Sequence, residues 1–421
     1  MGNEDEKGHW SRRSFVSMMA GVPLACMLPS GPAIGVDTDD DTALPAKDMF
    51  ALKGTYINAA YTHPMSVGSY REISKFLNAR MMNRLEPKTY DPFERSSVNA
   101  AFAKLINASP DEIAMVPSTM VGENLVVSGL GIPGSKEQVV TDGLHFEGSL
   151  HLYGELEKQG VKLTVVKPRN NRIDLNDLEA AITPGTRLVA LSLVSATTGF
   201  IHDLKKVCEV AHARGALVYA DIIQAAGAVP IDVRNSNIDF CACSTYKWLM
   251  GDFGVGFLYV RKDLLPSIKR TLIGYRQMQT YVSHVLPYDP PGERTFESTS
   301  AVTMSGHFEV GTFANEGIAA VRYSLDFLNR TGVDKLYQYR QRMISRLRTE
   351  LDPGIFEPLT PPDSVSPIVS FAFRDAGKKI KPKLDAADIN ISVYENRIRI
   401  SPSFYNDMND IDHLISVLKT V

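Results

Sequence analysis

The chain has 421 residues, 44% hydrophobic and 22% charged, a globular composition that excludes a fibrous or disordered protein. Lysine plus arginine total 45 against 48 acidic residues, and the resulting charge of −3 offers no attraction for nucleic acid or anionic membrane. The four cysteines, Cys26, Cys208, Cys241 and Cys243, cannot build a disulfide scaffold, and a Cys-x-Cys without further ligands is a poor zinc site. The run Phe240-Cys241-Ala242-Cys243 reads instead as a buried strand.

In chain order, Ser11-Arg12-Arg13-Ser14-Phe15 precedes an apolar run from Val16 to Leu28. This is the pattern of a twin-arginine export signal, and the run is too short to span a bilayer of about 30 Å. The expectation is a signal peptide over 1–35 and a periplasmic protein with no membrane anchor. Residues 36–70 are expected to pack on a smaller domain as an N-terminal segment. From about Asp111, apolar runs at 113–116, 139–140, 163–166, 188–193, 216–220 and 256–260 alternate with helical patterns such as 175–182 and 204–213. That alternation predicts an α/β fold, a mostly parallel sheet covered by helices, in a large domain over 71–310. Residues 266–300 are irregular and rich in Pro, Tyr and Gly. One long helix is predicted over 315–351, then a strand over 368–373, a helix near 382–387, two short strands ending at Ile400 and a helix from Met408. These make a small C-terminal α+β domain over 311–421.

In such a sheet ligands bind at the carboxyl ends of the strands. The run ending at Ala220 leads into Asp221 and Gln224, and the run ending at Cys243 leads into Ser244-Thr245-Tyr246-Lys247-Trp248 and a glycine-rich turn. Alone, the aspartate reads as a helix cap and the lysine as a surface charge. Together they mean something else. A lysine between Tyr and Trp, behind a buried strand, is desolvated, and a desolvated ε-amine serves as a Schiff-base nucleophile. A carboxylate one βα unit upstream is suited to holding a pyridine nitrogen protonated.

These motifs resemble the class V aminotransferase group of fold-type I, pyridoxal 5′-phosphate (PLP) enzymes, from about Tyr56 to the C-terminus. The group includes cysteine desulfurases, selenocysteine lyase, kynureninase and isopenicillin-N epimerase-like enzymes. The resemblance implies that Lys247 bonds PLP, Asp221 pairs with the pyridinium nitrogen and Gln224 contacts the ring hydroxyl. Ser118 and Thr119, at a strand-to-helix turn, and Ser244 are implied phosphate ligands, with Tyr246 beside the cofactor. Phe146, with His145 second, is expected to stack on the ring. The stretch from Phe308 to Asn315 resembles a segment whose threonine, here Thr312, reaches the phosphate of a neighbouring subunit, which implies a homodimer with shared sites. Arg399, in Arg397-Ile398-Arg399-Ile400-Ser401, matches the arginine that grips a substrate carboxylate, and Arg397 two residues before is either a solvated charge or a second anion contact.

Departures from the pattern narrow the expectation. Ser195-Ala196-Thr197-Thr198-Gly199 lacks the family's asparagine, and Tyr246 stands where many members carry histidine. No cysteine follows Cys243, so the late-loop nucleophile of a desulfurase is missing. The expected enzyme is a PLP-dependent lyase or aminotransferase acting at Cα or Cβ of an amino acid or amino-acid-derived metabolite. An epimerase comes second. A catalytically idle PLP-fold binding protein is the alternative from another class, and the retained Lys247, Asp221 and Arg399 argue against it. The absence of Gly-x-Gly-x-x-Gly after an early strand argues against nicotinamide binding.

Overall fold

A computed structural model describes residues 43–84 and 95–421. The twin-arginine motif lies outside the described residues. Strand β1 (Thr55–Tyr56) is followed by β2 (Ile113–Val116), β3 (Gln138–Asp142), β4 (Lys162–Val166), β5 (Thr186–Ser192), β6 (Leu217–Asp221), β7 (Phe240–Ser244) and β8 (Gly256–Val260). The last seven form one sheet in the order β2-β8-β7-β6-β5-β3-β4. Within it only β8 runs antiparallel to its neighbours, so the expected mostly parallel sheet is present. Strands β2, β3, β7 and β8 are buried at every position, as strands covered on both faces must be. Cys241 and Cys243 share one core with Val189 and Val218, and Phe240 and Ala242 share the other with Leu188 and Tyr219.

The strand order places a topological switch point between β3 and β5, because the chain leaves β3 toward β4 and returns on the other side. The loops after these two strands diverge there and leave a crevice at their carboxyl ends.

The stretch 266–300, irregular by sequence, contains a hairpin of β9 (Met278–Ser283) and β10 (Phe296–Ser300). Nearly all its residues are exposed, so no burial pattern marks it in the sequence. The single helix expected over 315–351 is two helices, Asn315–Thr331 and Val333–Glu350. Gly332 separates them at φ +82°, a conformation that interrupts the helix and suits glycine. The first helix buries Ile318, Val321, Leu325 and Leu328 in the core beneath the large sheet. The second sends Met343, Ile344 and Leu347 into a separate core.

That second core lies against a four-stranded antiparallel sheet of β11 (Glu357–Pro358), β12 (Val369–Ala372), β14 (Ser392–Val393) and β15 (Arg397–Ile400), in the order β11-β12-β15-β14. Strand β1 pairs in parallel with β13 (Ile389–Asn390), Ile57 enters the same core, and Asn58 bridges to Ser401. The early segment is thereby tied to the C-terminal elements, and Ala60 and Tyr61 are carried to the crevice.

Candidate active site

Asp221 ends β6 and Ser244 ends β7, two neighbouring parallel strands, which brings their following turns together. The turn after β7 is stapled on itself. Thr245 Oγ1 donates to the Asp252 carbonyl (2.7 Å), the Gly251 amide donates to the Thr245 carbonyl (2.8 Å) and the Met250 amide to that of Lys247 (2.8 Å). From behind, Trp248 Nε1 donates to Gln224 Oε1 (3.0 Å), and the Arg340 guanidinium lies 5.4 Å from the Trp248 ring centre. Gly227, at φ +86°, passes so close that a Cβ there would fall 2.5 Å from the Trp248 carbonyl. The lysine is thus carried on a fixed turn.

Lys247 is 9% exposed and lines a cleft of about 660 Å³ with Phe146, Glu147, Tyr246, Tyr394, Arg397 and Arg399. Its Nζ makes no hydrogen bond or ion pair with any described residue, and its nearest aromatic contact is the Tyr246 ring at 5.8 Å. Burial lowers its pKa to about 8, against the opposing pull of Asp221, and the Arg399 charge lowers it further. Burial pushes Asp221 up to about 6, while the Ile223 amide and the positive neighbours His145 and Lys247 draw it down. One Asp221 oxygen, Oδ1, accepts that amide at 2.8 Å, which fixes the carboxylate.

The residues expected at the phosphate converge on the start of the helix Thr119–Gly129. Ser118 caps this helix by accepting from the Val121 amide at 3.2 Å. The amides of Thr119 and Ser244 each donate to the other's side-chain oxygen, at 2.9 and 2.8 Å. Two hydroxyls and a helix N-terminus therefore lie together, the chemistry that holds a phosphate.

Other expected residues are placed less directly. His145 has its side chain wholly buried, with Nδ1 2.8 Å from Ser192 Oγ and Nε2 3.3 Å from Glu123 Oε1. Phe146 is 37% exposed and lines the cleft, as His145 does, and its amide donates to Ser192 Oγ at 3.2 Å. Gln224 is buried and already serves the protein at both ends, accepting from Trp248 and donating Nε2 to the Ala60 carbonyl at 3.0 Å. Its second amide hydrogen is what remains for a ligand. Tyr246 lines the cleft and stacks on Phe253, with ring centres 4.7 Å apart. Thr312 is exposed, 3.2 Å from the Tyr275 hydroxyl, and does not line this cleft.

Arg399 is 4% exposed on β15, facing the loop after β5. It donates to the Ala196 carbonyl at 3.0 Å and to Ser392 Oγ at 3.1 Å. Its Nε is buried without a partner, and it forms no ion pair with any described residue. Burial holds its pKa below the usual arginine range, and Arg397 adds to the effect. A desolvated guanidinium at a cleft wall, with no carboxylate paired to it among the described residues, is a ready partner for a substrate carboxylate.

The sequence reading missed Glu123. It is fully buried and takes hydrogen bonds from Ser149 Oγ at 2.6 Å and Tyr153 OH at 2.7 Å, beside His145. Its signal is an acid inside the helical run Val121-Gly122-Glu123-Asn124-Leu125-Val126-Val127, in which Asn124 is the one other polar residue.

This sheet order, with a buried lysine and a carboxylate at adjacent strand ends, defines a PLP-dependent transferase of fold type I. The pattern of the class V aminotransferases matches residues 70–414, and the chain belongs to that family. It is accordingly a PLP-dependent enzyme that acts on an amino acid as a lyase or aminotransferase. The chain is 28% identical over 315 residues, 75% of its length and 80% of the relative's, to the uncharacterized aminotransferase YcbU of Bacillus subtilis. To cysteine desulfurase IscS of Rickettsia bellii it is 35% identical over 189 residues, 44% of this chain and 46% of that one. Among solved structures, the cystine C-S lyase C-DES superposes with a TM-score of 0.77 at 22% identity, covering 87% of this chain and 97% of that one. The cysteine desulfurase CsdA of Escherichia coli gives 0.76 at 22% identity, covering 90% and 98%. The two superpositions bear on the fold.

Proposed function

We propose that the enzyme works through Lys247 alone as its covalent and proton-moving group, eliminating a β-substituent from an amino acid or exchanging its amino group. The observation that carries this reading is the buried, unpartnered Lys247 amine, with its pKa lowered to about 8, in the same cleft as Arg399. PLP fits the residues present: Lys247 would bond it, Asp221 would face its nitrogen, and Thr119, Ser244 and the helix N-terminus would take its phosphate. When bound, PLP supplies an electron sink that makes a Cα proton acidic. Arg399 orients the substrate through its carboxylate, and the packed turn behind Lys247 keeps Nζ within the cleft, where a neutral amine takes or returns the proton at Cα.

A sulfur-accepting desulfurase is disfavoured by chemistry as well as by motif. Cys208, Cys241 and Cys243 are buried in the core, and burial pushes all three thiols far above the range in which a thiolate forms. Incubating the PLP-loaded protein with a panel of amino acids and S-conjugates, and following absorbance and keto-acid release, tests the reading. No spectral change with any of them would overturn it.

The proposal extends to assembly and location. The exposed Thr312, 3.2 Å from the exposed Tyr275 and outside its own chain's cleft, supports a homodimer, which sedimentation checks. Ser11-Arg12-Arg13-Ser14-Phe15 supports twin-arginine export to the periplasm, a route that carries folded proteins and so lets the cofactor bind beforehand. Cell fractionation of wild type against a variant with Arg12 and Arg13 replaced by lysine checks it, and an uncleaved wild-type protein in the cytosol would refute it.

A further inference from the structure

With Lys247 taken up by the cofactor, the cleft wall still holds two guanidinium charges for one amino-acid carboxylate. Among its described lining residues Lys247, Arg397, Arg399 and His145 are basic, the histidine being held by Glu123 behind it, and Glu147 is the one acid. Arg397 and Arg399 sit two apart on β15, so both project from the same face with Cα atoms roughly 7 Å apart. Neither forms an ion pair with a described residue. Instead, successive carbonyls of the loop after β5 receive them. Ala196 accepts from Arg399 at 3.0 Å and Thr197 from Arg397 at 3.4 Å, the latter long for such a bond. The Arg397 guanidinium also lies 4.1 Å from the centre of the Tyr394 ring, another lining residue, which holds it in place without neutralising it.

Two like charges held side by side without an ion-paired partner repel each other, and an anion between them removes the cost. A substrate's α-carboxylate would occupy Arg399 and leave Arg397 fixed, oriented and uncompensated at the same wall. We propose that Arg397 is a specificity residue for a second carboxylate, and that the preferred substrates are acidic amino acids. This rests on the amino-acid reading of the site given above. Tyr394 presents the planar guanidinium to the cleft, where it can meet a side-chain carboxylate through two parallel bonds.

The test uses the PLP-loaded enzyme and amino acids that lack a Cα hydrogen, so that binding is read from cofactor absorbance without proton removal. 2-Methylaspartate and 2-methylglutamate are compared with 2-methylalanine and 2-methylleucine. The wild type is expected to bind at least one of the acidic pair about tenfold or more tighter than either neutral analogue. Arg397→Gln weakens the acidic analogues far more than the neutral ones and so removes that preference, while Arg397→Lys retains part of it. Arg397 is half-buried at the cleft wall, so these variants keep the fold. Equal wild-type affinities, a preference for 2-methylleucine, or an acidic preference that survives in Arg397→Gln would overturn the inference and leave the amino-acid reading intact. A band that none of the four perturbs would overturn the amino-acid reading and this inference with it.

Discussion

Raising the pH should switch on cofactor capture by the unloaded protein well below the range of an ordinary lysine. Only a neutral amine attacks an aldehyde, and burial sets the Lys247 pKa at about 8 rather than 10.5. A group titrating at 8 is about 1% neutral at pH 6 and about 90% neutral at pH 9. Capture should therefore accelerate close to a hundredfold between those values and then level off. An exposed lysine would be only about 3% neutral at pH 9 and still climbing tenfold per unit. The assay mixes unloaded protein with PLP in a stopped-flow instrument and follows visible absorbance across the pH range, with Lys247→Ala as the blank. The sign is fixed by the cause: burial disfavours the charged form, so the curve moves to lower pH. A rate that rises without a plateau to pH 10 would refute the claim that Lys247 is desolvated.

Asp221→Ala should still acquire colour with PLP yet lose on the order of a hundredfold or more in turnover, because nothing then holds the ring nitrogen protonated; turnover within a few-fold of wild type would remove its assigned role. Arg399→Lys should weaken binding of an unreactive amino acid, read from cofactor absorbance, by roughly 2–5 kcal/mol, since two directed bonds become one point charge. Thr119→Ala breaks its side-chain contacts with Ser244 and should raise the dissociation constant for PLP, measured by equilibrium dialysis, more than it lowers the melting temperature. Glu123→Ala strands the buried His145 and leaves Tyr153 OH without its acceptor, and should cost about 3–5 kcal/mol in denaturant unfolding.

The sequence made the scaffold readable because β2, β3, β7 and β8 are buried at every position. Runs such as 240–243 are apolar without interruption, and the polar residues that end the strands stand out as Asp221 and Ser244 do. The break at Gly332 was hidden because the apolar periodicity continues on both sides of it, and only a backbone angle separates the helices. The hairpin of β9 and β10 was hidden because exposed strands need no apolar face. Within the site, spacing brought Lys247 and Arg399 to notice, yet it could not tell which side chains reach the cleft. His145 and Phe146 are adjacent in sequence and both line the cleft, but the imidazole is held by Glu123 and Ser192 while Phe146 is exposed. Gln224 looked like a cofactor ligand, while its bonds to Ala60 and Trp248 show that it also braces the lysine turn. Such distinctions depend on contacts between residues far apart in the chain, which no local pattern encodes.

The central claim is that Lys247 is the residue that bonds the cofactor. Loading the protein with PLP, reducing it with borohydride to fix the link, digesting it and sequencing the peptides by mass spectrometry tests that claim directly. The account predicts that the pyridoxyl mass falls on Lys247, in the peptide containing Ser244-Thr245-Tyr246-Lys247-Trp248, and is lost in Lys247→Ala. A stable label on any other lysine, or none at all, would contradict it.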